Sequence, residues 1–370
     1  MILHLSDYSG GYRICSLAKC NTVRDVLLDH GLHVLYIEEE RVTIYPERET
    51  AVLAKLELER LQQCCDYDVF EIGESGIAFR YYCNDSIDNA ILITSKCNSN
   101  CVMCPTAERV RREGEIYCAE NLIELIRHMP SDAPHITVTG GEPFLLRREL
   151  FPVLRELRNH FTETSFLLLT NGRAFCIGEY VEQYVESAPK TMVVGIPIHG
   201  PDAKIHDSIT QAAGSFHETI AGLKFLQEAN VQIELRIVVS KLNHMVLCEI
   251  ASLIISQCSH IDSVKIMGLE MTGNAAKNAA QVWIDYPSAF SDAQDSVEML
   301  MHAGINVGLY NFPLCAVNKR YWSICEKSIS ESKVRYDSCC DKCVVRDACG
   351  GVFSGSMRLA KEALHPYTEI

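Results

Sequence analysis

Short apolar segments alternate with amphipathic segments from about residue 90 to about residue 309. The apolar segments have the length of strands, and the segments between them carry the apolar spacing of helices. The predicted strands are 90–94, 135–138, 165–169, 192–197, 232–239, 263–267 and 306–309. Strands separated by helices pair in parallel through right-handed crossovers. The sequence therefore predicts an α/β protein with a partial (β/α)6 barrel of TIM type, whose functional loops follow the carboxyl ends of the strands.

Two flanking segments lack this alternation. Residues 1–88 contain short β-rich pieces and predict a small β-rich or α+β domain. Residues 310–370 are rich in cysteine and short of regular periodicity, which predicts a module organised by metal. We therefore expect three domains, at 1–88, 89–309 and 310–370.

The charge of the chain argues against a nucleic-acid partner. The formal net charge is −14, and the densest basic cluster is the short group Arg109, Arg111 and Arg112. Nucleic-acid binders present a basic patch to the phosphates. The start of the chain lacks a basic region followed by an apolar stretch, and the apolar runs are too short to span a bilayer. We expect a cytoplasmic protein without a membrane partner.

Eighteen cysteines are unusual for a chain in a reducing compartment, where clustered cysteines indicate metal or redox chemistry. Some of them need no such role. Cys176, Cys248 and Cys258 sit among apolar neighbours and are interpreted as small core residues. No ligand spacing is recognised for Cys15, Cys20, Cys64, Cys65, Cys83 and Cys118.

Cys97, Cys101 and Cys104 follow the first predicted barrel strand in the segment Cys97-Asn98-Ser99-Asn100-Cys101-Val102-Met103-Cys104-Pro105. Closely spaced cysteines on one loop let several sulfurs converge on one iron–sulfur cluster. Three ligands on a four-iron cluster leave one iron without a protein thiolate, as catalytic metal sites keep a free position. A zinc knuckle is the alternative, but no fourth ligand is obvious in the loop. The pattern favours a cluster.

The next two strands also end in polar, glycine-containing segments. The first is Thr139-Gly140-Gly141-Glu142-Pro143, in which two glycines permit close backbone approach and the proline stiffens the turn. The second is Leu168-Leu169-Thr170-Asn171-Gly172. A plain tight turn after a buried strand would account for either segment alone.

Later strands carry further candidates. Arg236 lies inside an apolar strand, where a charge needs a partner, so either an internal salt bridge or a ligand carboxylate is expected. The sixth strand ends in Met267-Gly268-Leu269-Glu270, and Glu270 is an alternative contact for substrate. His199 and His206 are expected to be exposed loop residues and receive no role.

A second cysteine group lies near the carboxyl end of the chain. Cys340, Cys343 and Cys349 have the spacing Cys-x2-Cys-x5-Cys, and Cys315 lies upstream. Four thiolates can close a second, fully ligated [4Fe–4S] cluster, and zinc is the rival metal. Cys325 and Cys339 are alternatives to Cys315 as the fourth ligand.

The cysteine loop and the glycine segment resemble the radical S-adenosylmethionine (SAM) superfamily. The resemblance implies a [4Fe–4S] cluster on Cys97, Cys101 and Cys104, with SAM chelated at the open iron and reductively cleaved to a 5′-deoxyadenosyl radical that abstracts hydrogen from substrate. It also implies that residues of the strand ends contact SAM and that no catalytic residue need be assigned beyond the cluster. The implied SAM contacts are Met103, Gly140, Gly141, Glu142, Pro143, Asn171, Arg236, Met267 and Gly268.

The C-terminal cysteines resemble the auxiliary-cluster regions, of SPASM or shorter twitch type, found in peptide-modifying radical SAM enzymes. The longer type continues with a Cys-x3-Cys step, but Phe353 stands four residues after Cys349. One auxiliary [4Fe–4S] cluster is therefore expected.

Residues 90–355 further resemble HxsC, the family of radical SAM maturases of the His-Xaa-Ser peptide system. The segments that carry this resemblance are Ile196-Pro197, His206-Asp207, 214–219, 268–273, Lys327-Ser328-Ile329-Ser330 and 345–351. The resemblance implies a ribosomally made precursor peptide as substrate and a companion radical SAM maturase, HxsB. An external electron donor such as flavodoxin or ferredoxin is expected as well.

Two other functions share parts of this pattern. A radical SAM enzyme acting on a small cofactor precursor, such as a molybdopterin-type maturase, would have the same barrel and a C-terminal cluster, although that family ends in Gly-Gly and residues 367–370 do not. A non-catalytic iron–sulfur or zinc scaffold would keep the cysteines without cleaving SAM.

Overall fold

The computed structural model describes residues 1–39, 41–258 and 260–369. The first unit is a seven-stranded sheet with the order β1-β7-β6-β2-β3-β4-β5, in which only the pair β2 and β3 is parallel. The strands are β1 Ile2–His4, β2 Arg13–Ala18, β3 Val34–Glu38, β4 Arg41–Tyr45, β5 Glu49–Val52, β6 Val69–Ile72 and β7 Ile77–Tyr82. Two helices accompany it, α1 Asn21–Asp29 and α2 Lys55–Gln62. The unit is thus α+β, and Leu17, Leu35 and Phe70 are fully buried in its core.

The second unit is an eight-stranded sheet, parallel throughout, whose order β8 to β15 follows the chain. Its strands are β8 Asn89–Leu92, β9 His135–Thr139, β10 Ser165–Leu169, β11 Met192–Pro197, β12 Ile233–Val238, β13 Ser263–Met267, β14 Val307–Tyr310 and β15 Cys325–Glu326. The predicted α/β class with parallel strands is confirmed. The predicted number of six strand–helix units is too low. The sheet contains seven strands of four to six residues and an eighth, β15, which comes from the cysteine-rich segment. β15 has only two residues, and a strand of that length shows no periodicity in the sequence.

Helices follow most of these strands. They are α3 Glu108–Glu113, α4 Ala119–His128, α5 Leu150–His160, α6 Gly178–Ser187, α7 Ala203–Thr210, α8 Ser215–Glu228, α9 Leu247–Gln257, α10 Gly273–Lys277, α11 Ala279–Val282 and α12 Tyr286–His302. One face of the sheet packs against them and is closed to solvent, as Val138, Leu168 and Leu235 show with 0% exposure. Residues on the opposite face, such as Leu169 and Met267, stay half-buried. We call this second face the inner face.

The C-terminal segment contains little regular structure. It has a two-stranded antiparallel pair, β16 Val334–Arg335 with β17 Val352–Phe353, and one short helix, α13 Met357–Ala360. Besides β15, the remaining regular structure is short 3₁₀ helix: Leu314–Ala316, Lys319–Ile324, Ser338–Lys342, Arg346–Ala348 and Lys361–Ala363. In the described part of the chain, no helix combines the length and the apolarity needed to cross a membrane.

Candidate functional site

The three-cysteine loop begins five residues after β8, at the carboxyl edge of the parallel sheet. Backbone amides face two of its sulfurs: the Ser99 amide donates to Cys97 Sγ and the Thr106 amide donates to Cys104 Sγ, each at 3.4 Å. Such amide hydrogen bonds stabilise thiolates and tune the potential of iron–sulfur clusters. The loop therefore has the local backbone conformation that thiolate ligands require.

Arg111 of α3 hydrogen-bonds to the backbone of the cysteine loop. It is 3% exposed, although the sequence placed it in a surface cluster with Arg109 and Arg112. Its guanidinium donates to the carbonyls of Ser99 at 3.0 Å and Thr106 at 3.2 Å. A further bond to Asn100 Oδ1 measures 2.7 Å. Because a guanidinium offers several donors in a fixed fork, one side chain fixes both ends of the cysteine loop.

Two asparagines that follow β13 also hydrogen-bond to this loop. Asn274 of α10 donates to the carbonyl of Cys101 at 3.1 Å, and Asn278 donates to that of Val102 at 3.0 Å. Asn274 Nδ2 also contacts Asn100 Oδ1 at 3.1 Å. Sequence reasoning missed these positions and Arg111. The one available signal was that Asn274 follows directly on the 268–273 segment of the family resemblance.

The three thiols are arranged differently from ligands of a single ion. A tetrahedral zinc with bonds of about 2.3 Å holds its sulfurs roughly 3.8 Å apart. The sulfurs of Cys97, Cys101 and Cys104 do not all lie within 4.8 Å of one another. Burial raises the pKa of Cys97 to about 11 and that of Cys101 to about 12, so without metal these thiols keep their protons. The wider spacing fits a cluster that gives each thiolate its own iron.

Gly140 and Gly141 are required by the close approach of β9 to the start of the cysteine loop. A Cβ on Gly140 would lie 2.5 Å from the carbonyl oxygen of Thr94, and one on Gly141 would lie 2.1 Å from that of Lys96. The amides of Gly141 and Glu142 donate to these same two carbonyls, at 2.7 and 2.8 Å. The glycine pair therefore locks the cluster loop to the neighbouring strand end.

Glu142 is buried, with 1% exposure, and its carboxylate accepts three hydrogen bonds. The donors are the amide of Phe144 at 3.1 Å, the Thr170 hydroxyl at 2.8 Å and the amide of Asn171 at 2.7 Å. Burial raises the pKa of this carboxyl group, against the lowering effect of the donors. In this structure Glu142 joins two strand ends, and its direct contact with SAM stays a prediction.

Asn171 connects the end of β10 to the cysteine loop. Its side-chain amide donates to Asn98 Oδ1 at 2.7 Å. Arg173, four residues beyond β10, donates to the Asn98 carbonyl at 3.1 Å and pairs with Glu218 at 2.5 Å. The predicted position of Asn171 next to the SAM-binding region is thus matched by a contact with the loop, while its contact with SAM stays a prediction.

Arg236 projects from β12 on the inner face and pairs with Glu234 of the same strand at 2.7 Å. Gly195 on the adjacent strand leaves the room for it, since a Cβ there would lie 3.4 Å from Arg236 Nε. Of the two expectations for this cation, the structure contains the salt bridge. Contact between Arg236 and the SAM carboxylate remains a prediction.

The remaining predicted SAM contacts lie around the same edge of the sheet. Met103 is 5% exposed and packs in an apolar cluster with Ile209, Leu269 and Met271. Pro143 opens a buried 3₁₀ turn, and Gly268 lies where a Cβ would come within 2.6 Å of Tyr286. Glu270, considered as a substrate contact, pairs with Lys333 of the C-terminal segment at 3.2 Å.

The expectation that His199 and His206 are exposed is wrong. They are 4% and 2% exposed, and their rings lie 5.4 Å apart. Burial lowers the pKa of His199 to about 3 and that of His206 to about 4, so both rings are neutral. The apolar run of β11 continues through Ile198 up to His199, which was the signal available in the sequence. Their place beside the carboxyl end of β11 puts them near the site.

Four C-terminal cysteines line one cavity. They are Cys315, Cys340, Cys343 and Cys349. Backbone amides of Leu314 and Gly351 donate to Cys349 Sγ at 3.3 and 3.4 Å, and the Tyr367 amide donates to Cys343 Sγ at 3.4 Å. No three of these sulfurs all lie within 4.8 Å of one another. The cavity thus has the donor set and the amide contacts that a second cluster would need.

The two alternative ligands differ from these four. The thiols of Cys325 and Cys339 donate to backbone carbonyls, of Tyr321 at 3.5 Å and of Leu364 at 3.9 Å. Neither cysteine is among the residues that line the cavity. This geometry favours Cys315 over Cys325 and Cys339 as the fourth ligand.

Comparison with known proteins identifies the middle of the chain. Residues 91–251 match the family model of the radical SAM superfamily. The chain is 27% identical over 193 residues to an AdoMet-dependent heme synthase of Oleidesulfovibrio alaskensis, covering 51% of this chain and 47% of that protein. It is 26% identical over 190 residues to a pre-heme d1 synthase of Dinoroseobacter shibae, covering 51% and 45%. The aligned regions thus span about half the length of these relatives.

Among solved structures, SuiB of Streptococcus suis bound to S-adenosylmethionine shares the fold. The TM-score is 0.50 at 15% sequence identity, over 61% of this chain and 51% of that chain. The radical SAM family uses a [4Fe–4S] cluster and SAM, and these are the cofactors of this protein.

Proposed function

We propose that Cys97, Cys101 and Cys104 hold the [4Fe–4S] cluster and that the enzyme modifies a ribosomally made peptide. The match of residues 91–251 to the radical SAM superfamily is the starting point. The observation that carries the first part is the cysteine loop itself, fixed by Arg111 and by the glycine pair, with at least one pair of its sulfurs more than 4.8 Å apart. When bound, the cluster and SAM supply a 5′-deoxyadenosyl radical by reductive cleavage. The protein supplies position and shielding.

Different residues of the chain contribute to this positioning and shielding. Gly140 and Gly141 bring the end of β9 against the loop, so that the backbone of that turn is available to a ligand at the open iron. Asn171 and Glu142 fix the neighbouring strand end. The inner face of the sheet, half-buried along Leu169 and Met267, lies below this edge and offers the space for substrate.

The charges of the inner face support a peptide over a polycarboxylate substrate. Its two strand cations are already neutralised, Arg236 by Glu234 at 2.7 Å and Lys265 by Glu326 at 2.9 Å. Tyr310 lies in the same cluster, with the Lys265 ammonium 5.0 Å from its ring centroid. A substrate with several carboxylates needs unpaired cations. A neutral or basic peptide does not, and the net charge of −14 favours its approach.

A second candidate function is the conversion of a small cofactor precursor. It is favoured by the relatives whose names are heme synthases, with 26 to 27% identity over half the chain. The segments that resemble HxsC support the peptide instead, and with it a companion HxsB and a flavodoxin or ferredoxin as electron donor. The paired inner-face charges decide our preference for the peptide.

We propose further that Cys315, Cys340, Cys343 and Cys349 hold one auxiliary [4Fe–4S] cluster. The convergence of the four cysteines on one cavity and the amide contacts to two of the sulfurs support this assignment. Because all four corners would carry thiolates, this cluster would have no open iron for SAM.

SAM chemistry is tested by anaerobic reconstitution. The wild type should bind about eight irons with matching sulfide and release 5′-deoxyadenosine from SAM and dithionite. A variant with Cys97, Cys101 and Cys104 changed to alanine should lose SAM cleavage. A matched variant with Cys20, Cys118 and Cys248 changed to alanine should keep it. A colourless zinc protein, or full cleavage by the first variant, would contradict the proposal in favour of a scaffold.

The substrate is tested in parallel reactions with the reconstituted enzyme. One contains a His-Xaa-Ser repeat peptide, with and without HxsB, and the other contains a carboxylated tetrapyrrole. Mass spectrometry of each product should show a mass change in the peptide only. Turnover of the tetrapyrrole with an unchanged peptide would replace our assignment by the cofactor-precursor function, while the SAM chemistry would stand.

A further inference from the structure

A group of two histidines and a carboxylate lies between the first sheet and helix α4 of the second unit. His33 precedes β3, and Glu124 and His128 belong to α4. One potential ligand atom from each of the three lies within 4.8 Å of the other two. Glu124 and His128 are four residues apart on one helix and so share a face. Nothing in the SAM chemistry makes use of this group.

The ring of His128 is oriented by Ser16 of β2. The Ser16 hydroxyl donates its single hydrogen to the His128 carbonyl at 3.1 Å, and Ser16 Oγ also lies 2.9 Å from His128 Nδ1. If the hydroxyl donates to the carbonyl, Nδ1 supplies the hydrogen of the second contact, because a hydroxyl has only one to give. In that tautomer Nε2 carries a bare lone pair. Metal-binding histidines are held in the same way by an outer oxygen.

His128 Nε2 faces another acceptor. It is buried and has no hydrogen-bond partner among the described residues, although Glu124 Oε1 lies 3.3 Å away. Two lone pairs at this distance repel unless a proton or a cation lies between them. Tetrahedral zinc with bonds of 2.0 to 2.2 Å holds its ligands roughly 3.4 Å apart, which matches the observed separation.

The charged groups around His33 are compatible with a cation. Glu47 Oε1 lies 3.3 Å from His33 Nε2 and can accept its hydrogen, which would leave Nδ1 as the ligand. Arg13 lies 3.4 Å from the same nitrogen, but its charge is offset by Glu47 at 3.2 Å and Glu49 at 3.3 Å. On the helix side, Arg127 pairs with Glu156 at 2.9 Å.

We propose that His33, Glu124 and His128 form a divalent transition-metal site, of zinc type, that clamps the N-terminal sheet to helix α4. Neutral imidazole and carboxylate are ligands that Zn²⁺ accepts. The three ligands come from both units, so the bound ion would join elements that otherwise meet through packing and through the bond of Ser16 to His128.

The test uses the full chain with reconstituted clusters, stripped with EDTA and then given zinc. The wild type should retain one more zinc ion per chain after dialysis than His33→Gln or Glu124→Gln, and zinc should raise the Tm of the wild type only. Both changed side chains are partly exposed, so the fold should survive. His30→Gln and Glu120→Gln, at exposed neighbouring positions, should behave as the wild type.

A third variant tests the oriented ring. Ser16→Ala should keep the zinc site but weaken it by about tenfold to a hundredfold, the usual effect of losing an outer hydrogen bond to a ligand. Equal zinc content in the wild type, His33→Gln and Glu124→Gln, or a Tm that ignores zinc in all of them, would overturn the proposal. Neither result depends on SAM cleavage.

Discussion

Arg111 shows how one buried side chain can determine the shape of a metal-binding loop. Its guanidinium donates hydrogen bonds to the carbonyls of Ser99 and Thr106. The sequence pattern could not separate Arg111 from its exposed neighbours Arg109 and Arg112, since all three stand in one short basic run. The two glycines of the neighbouring strand end were predictable, because only close backbone approach calls for such a pair.

Arg111→Lys should weaken the cysteine loop. A lysine ammonium cannot reach both carbonyls in the fork geometry of arginine, and a buried carbonyl left without a donor costs about 1–3 kcal/mol. We expect a lower Tm and incomplete iron loading, measured by calorimetry and by iron analysis after reconstitution. Arg109→Lys is the control, because Arg109 is 87% exposed and pairs only with Glu113. Equal iron content in both variants would contradict the assigned role.

Gly141→Ala should abolish SAM cleavage. Its Cβ would lie 2.1 Å from the carbonyl oxygen of Lys96, so the strand end and the loop must separate. The loss is measured as 5′-deoxyadenosine released per chain, beside the iron content. Gly178→Ala is the matched control, since a Cβ there meets nothing within 4 Å and should be neutral or stabilising by up to about 1 kcal/mol. If Gly141→Ala cleaved SAM as well as the wild type, the end of β9 and the cysteine loop could move apart without loss of activity.

At the scale of elements, the connection from β11 to α7 brings two neutral histidines beside the site. His199 continues an apolar strand, and His206 lies on the buried side of α7. Sequence reasoning placed β11 correctly but treated what followed as an exposed loop. It failed there because burial of a polar ring depends on the elements packed over it, such as Asn243, which donates to the His199 carbonyl at 3.2 Å.

The burial of these rings predicts a pH dependence. The folded-state pKa values, about 3 and about 4, lie below the ordinary value of 6.5. The unfolded chain therefore takes up protons below pH 6.5 that the folded chain does not. Their contribution to the free energy of unfolding is complete above pH 6.5 and is lost as the pH falls toward 4, at up to about 1.4 kcal/mol per pH unit for each ring.

His206→Gln should reduce this loss. Between about pH 7.5 and pH 5.5 the variant should lose about 1 kcal/mol less than the wild type, as measured by denaturant unfolding at each pH. His302→Gln, at an exposed position, should follow the wild type. If the free energy of unfolding of His206→Gln fell with pH as steeply as that of the wild type, the His206 ring of the wild type would have to take up a proton in the folded chain.

At the scale of the whole molecule, the parallel α/β class and the first seven strands of its sheet followed from the alternation of the sequence. The cysteine-rich segment had no periodicity to interpret, and the structure shows why. Its short 3₁₀ turns and its small strand pair leave a cavity lined by Cys315, Cys340, Cys343 and Cys349. The sequence predicted these four, with Cys325 and Cys339 as alternatives to Cys315. The fold favours Cys315 over Cys325, because the Cys325 thiol donates to the Tyr321 carbonyl and does not line the cavity.

Two independent clusters predict separable losses of iron. Cys340→Ser should lower the iron content by about four per chain, while SAM cleavage to 5′-deoxyadenosine continues, because the loop at Cys97 is untouched. Modification of the peptide should fall. Cys325→Ser is the control and should keep the full iron content. Loss of SAM cleavage together with the iron would show that the two sites depend on one another.

The two-residue strand β15 covers the backbone of β14, with Leu309 paired to Cys325 and Tyr310 to Glu326. Without it, the amides and carbonyls of β14 would form a bare border at which another chain could add a strand. We therefore expect the cysteine-rich segment to limit self-association at the two positions of β14 that it pairs with. A shortened chain ending at residue 310 should therefore precipitate or form oligomers even with its first cluster intact.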